Sequence, residues 1–147
     1  MALTKVTSPM IEGAPFNIQS YGAVSGTSDM TQAVQAAIDA AYAAGGYLYI
    51  PEGTYVAENL TLKCSVAGVG ALKLKAAATH PLLILNGSDF FISGITFDGN
   101  QTNQTASITN DIAGKATIAL LTNITVPGDS PTYNTINSIR VQNCKFI

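Results

Sequence analysis

Between residues 29 and 44 the apolar side chains Met30, Ala33, Val34, Ala37, Ile38, Ala41 and Tyr42 recur at i, i+3, i+4 and i+7, while Gln32, Gln35 and Asp39 fall elsewhere. That spacing predicts an amphipathic helix with one face turned to a core. Asp29 can cap its start, with Gln32 three residues on as in a capping box, and Gly45 can supply the left-handed residue that ends it. The period then changes. Residues 47–50 (YLYI) alternate as a strand does, and Pro51-Glu52-Gly53 is turn chemistry.

Beyond Tyr55 the apolar positions come in short runs that repeat. Val66-Ala67-Gly68-Val69 aligns with Ile92-Ser93-Gly94-Ile95 at an offset of 26, and with Val141-Gln142-Asn143-Cys144 at a further offset of 49. Each copy follows another apolar run: Leu60-Thr61-Leu62, then residues 82–85, then 118–121. Phe97 and Phe146 extend the later two copies. Such self-similarity is the mark of a solenoid, with about three coils after the first strand. Gly or Asn recurring beside a strand suits a bend at positive φ. The longer offset contains two polar excursions, 98–117 and 125–137, whose removal restores one coil; each reads either as a binding or oligomer contact or as a tolerated decoration. Residues 1–18 show neither period and contain Pro9, Gly13 and Pro15, so they read as an extended arm. The chain thus divides into an arm (1–18), a helix with the first strand (19–57) and the coils (58–147). The last strand, within 138–147, has nothing after it to cover a solenoid end, so we expect a piece of a longer protein or an end covered by another chain.

Composition narrows the picture. The 147 residues carry a net charge of −2, and the seven basic residues are scattered, which argues against nucleic-acid binding or a polybasic membrane patch. Charged residues make up only 11%, against roughly 25% in ordinary globular chains. Outer faces of Thr, Ser, Asn and small apolar groups, or a face hidden in an oligomer, would produce this. Mean hydropathy is +0.26, yet no apolar run approaches the roughly 20 residues needed for membrane insertion. Residues 1–15 lack the apolar region of a secretory signal. Cys64 and Cys144 read as unpaired thiols facing a core.

Tyr21-Gly22-Ala23, the helix over 29–44 and the run Gly45-Gly46-Tyr47-Leu48-Tyr49-Ile50-Pro51-Glu52-Gly53-Thr54-Tyr55 together resemble the leading segment of pectate-lyase-like, right-handed, single-stranded parallel β-helix proteins, in the form found in bacteriophage tailspikes and tail fibres. Residues 1–18 also resemble the linker that joins a virion-attachment region to such a β-helix. One departure is Val24-Ser25-Gly26-Thr27-Ser28-Asp29, where the family has a Gly-Asp-Gly turn and paired Asp residues. The resemblance implies an all-β solenoid with an N-terminal capping helix. It further implies a homotrimer on the virion, partnered by other phage tail proteins, made in the bacterial cytoplasm and acting outside the cell. Its partner would be a bacterial surface polysaccharide, bound by this segment and degraded by the full-length depolymerase. The alternatives are a secreted polysaccharide lyase or glycoside hydrolase of the same fold, and a non-catalytic β-helical adhesin.

Chemistry is less defined. Glycoside hydrolysis uses two carboxylates across a cleft, and Asp98, Asp111 and Asp129 are the catalytic candidates, with Asp89 nearby. Asp98-Gly99-Asn100 is itself a turn sequence, Asp111 and Asp129 share the excursions, and Asp89 equally suits the Gly87-Ser88 turn. Lyases of this fold use a basic residue beside a neutralised carboxylate, but Arg140 alternates with Ile139 and Val141 as an outward, solvated residue would. His80 precedes Pro81 and reads as a turn residue; one His specifies neither a triad nor a zinc site. Tyr47, Tyr49 and Tyr55 could stack on sugar rings, although closeness to the helix favours packing. No pattern calls for a cofactor or a metal.

Overall fold

A computed structural model describes residues 13–104, 118–119 and 138–147, the pair 118–119 by backbone alone. In chain order its elements are β1 (Pro15–Asn17), α1 (Thr31–Ala43), β2 (Tyr47–Ile50), β3 (Thr54–Ala57), β4 (Leu60–Leu62), β5 (Val66–Gly68) and β6 (Ala71–Leu74). There follow β7 (Leu83–Leu85), β8 (Phe91–Ser93), β9 (Thr96–Asp98), β10 (Ile118–Ala119), β11 (Arg140–Gln142) and β12 (Lys145–Phe146). They form a five-stranded sheet in the order β1-β2-β5-β8-β11, a four-stranded sheet β12-β9-β6-β3 and a three-stranded sheet β10-β7-β4. Every pairing is parallel. From β2 to β12 the chain visits the three sheets in unbroken rotation.

The registers carry the sequence repeat. Val66 pairs with Ile92 and Ile92 with Val141, reproducing the offsets of 26 and 49. Phe97 pairs with Phe146, and their rings stack at 5.3 Å with planes 18° apart. Inward positions build continuous columns: Leu48, Val66 and Ile92 on the five-stranded sheet, Tyr55, Leu72 and Phe97 on the four-stranded, Leu60 with Leu83 and Leu62 with Leu85 on the three-stranded. All of these side chains are buried, each contributing about 1.5–3 kcal/mol from apolar area removed from water.

Several local expectations are corrected. Helix α1 starts at Thr31 rather than 29, and Met30 holds the N-cap position without a side-chain capping bond. Asp29 sits one residue too early to be that cap, and its Oδ1 accepts from the Thr31 N–H (2.9 Å) and hydroxyl (2.6 Å). Gln32 closes no capping box; Gly45 does end the helix at φ +63. Val34, Ala37, Ile38 and Ala41 form the buried stripe, but Tyr42 is exposed, with the Lys63 ammonium 5.9 Å from its ring centroid. Within residues 1–18, Pro15–Asn17 forms β1, because Phe16 enters the core and Pro15, lacking an N–H, is tolerated at a sheet edge. Gly94 (φ +79) and Asn143 (φ +53) occupy left-handed bends, whereas Gly68 does not. The excursions at 98–117 and 125–137 lie mostly outside the described residues.

Candidate functional site

Strand alternation on the five-stranded sheet turns two columns of side chains away from the core. One column runs Pro15, Tyr47, Ser65, Phe91, Arg140; the other runs Asn17, Tyr49, Ala67, Ser93, Gln142. Neighbours along a column stand one strand spacing apart, about 4.8 Å. Within these two columns Arg140 is the one charged residue, among aromatic rings, hydroxyls and amides. Tyr47 and Tyr49 are half-buried and Phe91 is 41% exposed, so two of the three tyrosines face outward rather than pack. Tyr55 is the packed one. It is fully buried, and its hydroxyl accepts from Gln19 Nε2 (3.0 Å) and donates to the Glu52 carbonyl (3.3 Å).

At the β8–β11 end of this face lies an open concavity of about 400 Å³ lined by Asp89, Phe90, Phe91, Ser138, Arg140 and Gln142. Its geometry follows from the repeat. Asp89 (φ +61) and Ser138 (φ +55) take the left-handed conformation just before β8 and β11, and Gly94 and Asn143 take it just after them. Both pairs are separated by the same 49 residues, so the two strands enter and leave at equivalent corners. Arg140 N–H donates to the Phe90 carbonyl (3.2 Å), and Phe91 N–H donates to Ser65 Oγ (3.3 Å). Arg140 is thereby held beside Phe91. Its guanidinium has no ion pair or side-chain hydrogen bond among the described residues, whereas Lys63, Lys73 and Lys75 all have carboxylate partners.

A second concavity, of about 560 Å³, is lined by Asp29, Thr31, Gln32, Glu58, Asn59 and His80. Its charges are engaged with one another. Lys75 Nζ lies 3.1 Å from both Asp29 Oδ2 and Glu58 Oε1. The bonds from Thr31, and then Lys75, hold the Asp29 carboxyl below its ordinary pKa, while the Asp29 and Glu58 carboxylates raise that of Lys75. Among the described residues Glu58 Oε2 is buried without a hydrogen-bond partner. His80 is exposed in a bend, its Nδ1 2.9 Å from Thr79 Oγ1.

Of the catalytic candidates, Asp98 lies at the end of β9. Its Oδ1 accepts the Asn100 N–H (2.7 Å) and its Oδ2 pairs with Lys73 (3.2 Å), so both oxygens serve the turn and the neighbouring rung. Asp111 and Asp129 lie outside the described residues. Asp89, close to Arg140 on the concavity, is the carboxylate placed with other polar groups. Sequence reasoning missed Phe91; the offset of 49 that aligns Ile92 with Val141 also aligns Phe91 with Arg140 and could have found it. Among the described residues no three His, Cys, Asp or Glu side chains are grouped to hold a metal, and no helix is long and apolar enough to cross a membrane.

No family model and no solved structure matches the chain. It is similar to mannuronan C5-epimerase AlgE3 of Azotobacter vinelandii, 37% identical over 116 residues that cover 63% of this chain and 6% of the epimerase. Alginate lyase 7 of the same organism is 36% identical over 111 residues, covering 60% and 13%. Mannuronan C5-epimerase AlgE4, also of that organism, is 32% identical over 124 residues, covering 63% and 21%. The chain therefore spans between 6% and 21% of the length of these curated relatives. All three are enzymes that act on polysaccharides.

Proposed function

We propose that this chain is the leading segment of a right-handed parallel β-helix, capped by α1 and continuing for about three coils, and that the outward face of its five-stranded sheet binds a polysaccharide. The observation that carries the reading is the pair of in-register outward columns from Tyr47 to Gln142. Aromatic rings offer apolar sugar faces a stacking surface, and Ser, Asn, Gln and Arg offer hydroxyl partners. The rotation of strands among three parallel sheets supports the solenoid, and polysaccharide-acting relatives support the ligand class.

Within this reading the parent is a trimeric phage tailspike, carried on the virion, that binds and degrades a bacterial surface glycan. The tailspike resemblance of residues 1–18 and 21–55 supports that assignment. In this segment the role is to start the helix and hold the glycan, with turnover elsewhere in the parent. A second reading, a free polysaccharide-modifying enzyme of the same fold, is favoured by the epimerase and lyase similarity. Light scattering on the purified chain separates the two: a trimer supports the tailspike, a monomer the free enzyme.

The ligand class is tested by electrophoresis through gels containing mannuronan, alginate, bacterial capsule or lipopolysaccharide, with product analysis on the same samples. We expect retardation by at least one glycan without turnover. Free migration in all of them would overturn the binding reading. Release of shortened chains would move the active site into this segment, to Asp98, Asp111 and Asp129.

A further inference from the structure

Resting on the polysaccharide-binding reading, we infer that the concavity between β8 and β11 is a subsite for an acidic sugar, in which Arg140 takes the carboxylate of a uronate unit and Phe91 carries the face of its pyranose ring. Three observations lead there. Arg140 is the single charge on the two outward columns, so this position alone distinguishes an anionic glycan from a neutral one. Its guanidinium has no carboxylate or side-chain partner among the described residues, unlike the lysines of the neighbouring rungs, so its planar fork of donors is available to a ligand. Phe91 shares its rung, exposes 41% of its surface and lines the same cavity, which places an apolar platform one strand spacing from the cation. A uronate presents the matching pair, a ring with an apolar face and a carboxylate at its edge.

The other polar groups of the cavity fit hydroxyls rather than a second anion. Gln142 stands two residues along β11 on the same outward face, and Ser138 lies at the preceding corner. Asp89 is the one other titratable group of the lining and forms no ion pair with Arg140. Its carboxylate accepts sugar hydroxyls on one side of the cavity and repels a second carboxylate, which sets the orientation of the ring.

The test is calorimetric titration of the 147-residue chain with mannuronan oligosaccharides and with the same oligosaccharides after reduction of their carboxyls to neutral mannose. The subsite predicts that the acidic form binds at least about tenfold more tightly, the scale of one charge-assisted pair. Arg140→Gln should abolish this preference, so that the acidic and neutral oligosaccharides bind with equal affinity. Arg140→Lys should retain part of it, and Phe91→Ala should weaken both ligands alike. Because Arg140 is exposed, an unchanged thermal midpoint in Arg140→Gln certifies folding. Equal affinity of the wild type for the two oligosaccharides, or a preference that survives Arg140→Gln, overturns the subsite while leaving polysaccharide binding intact. Binding of neither overturns the subsite as well, while the polysaccharide-binding reading falls only if the chain also migrates freely in every glycan gel.

Discussion

Gly68 pairs with Ile50 across the β2–β5 ladder so closely that a Cβ on Gly68 would fall 2.1 Å from the Ile50 carbonyl oxygen. The N–H groups of Val69 and Gly70 both converge on that oxygen, at 3.0 and 3.3 Å. One coil further, a Cβ on Gly94 would fall 2.4 Å from the Gly68 oxygen. At Gly68 and Gly94 the corner is therefore a stack of backbones with no room for a side chain, and backbone cannot step aside as a flexible side chain can.

Gly68→Ala should consequently destabilise the chain by about 1–3 kcal/mol through overpacking. Gly94→Ala should cost more, because its left-handed φ adds roughly 1–2 kcal/mol. Gly22→Ala, with φ +93 but open space around the added methyl, should lose only the conformational part. Urea denaturation midpoints of the three variants give the order directly.

Gln35 on α1 presents its side-chain amide to the backbone of Thr61 in β4, accepting from the Thr61 N–H at 2.8 Å and donating to its carbonyl at 3.2 Å. Strand β4 is the edge of the three-stranded sheet, so this amide satisfies groups that a further strand would otherwise pair. Gln35→Ala should cost about 1–3 kcal/mol by leaving part-buried backbone groups unpaired. Hydrogen exchange at Thr61 should rise in this variant before exchange rises elsewhere.

The Asp29–Lys75–Glu58 cluster ties the start of α1 to the loops after β3 and β6. Asp29 has a lowered pKa in the fold, so its contribution is full above the ordinary 3.8 and is lost as pH falls through the lowered value. Lys75 has a raised pKa, so its contribution is full below 10.5 and is lost as pH rises through the raised value. The stability difference between wild type and Lys75→Met should form a plateau between these limits, shrinking at both extremes and in high salt.

Both thiols are free. Burial pushes Cys64 up to about 11, which at pH 8 lowers its thiolate fraction roughly a hundredfold relative to an ordinary cysteine. Cys144 is half-buried. Thiol labelling of the folded chain should thus proceed at Cys144, with Cys64 reacting after denaturation; equal rates would contradict the placement of Cys64.

The stacking of the sheets was legible because a repeat writes its register into the sequence: Val66, Ile92 and Val141 align by offset alone, and they pair. The helix was legible from its apolar stripe, but its first turn was not, since Asp29 bonds the Thr31 N–H from outside the helix. Residues 71–74 escaped notice because Ala71 and Lys73 interrupt the apolar pattern, although Leu72 and Leu74 fill the column between Tyr55 and Phe97. The outward face was harder to foresee. Tyr47, Phe91 and Arg140 are far apart in the chain, and only cross-strand register makes them neighbours. Gly68 was misjudged because positive φ and close approach both select glycine, and sequence does not distinguish them.

The most direct measurement is hydrogen exchange and backbone amide chemical-shift mapping of the chain with the glycan that retards it in the gels. Binding on the outward face predicts perturbations that run along Tyr47, Tyr49, Phe91, Ser93 and Gln142, with the inward columns unchanged. Perturbations confined to the Asp29, Glu58 and His80 concavity, or an unperturbed spectrum, would contradict it.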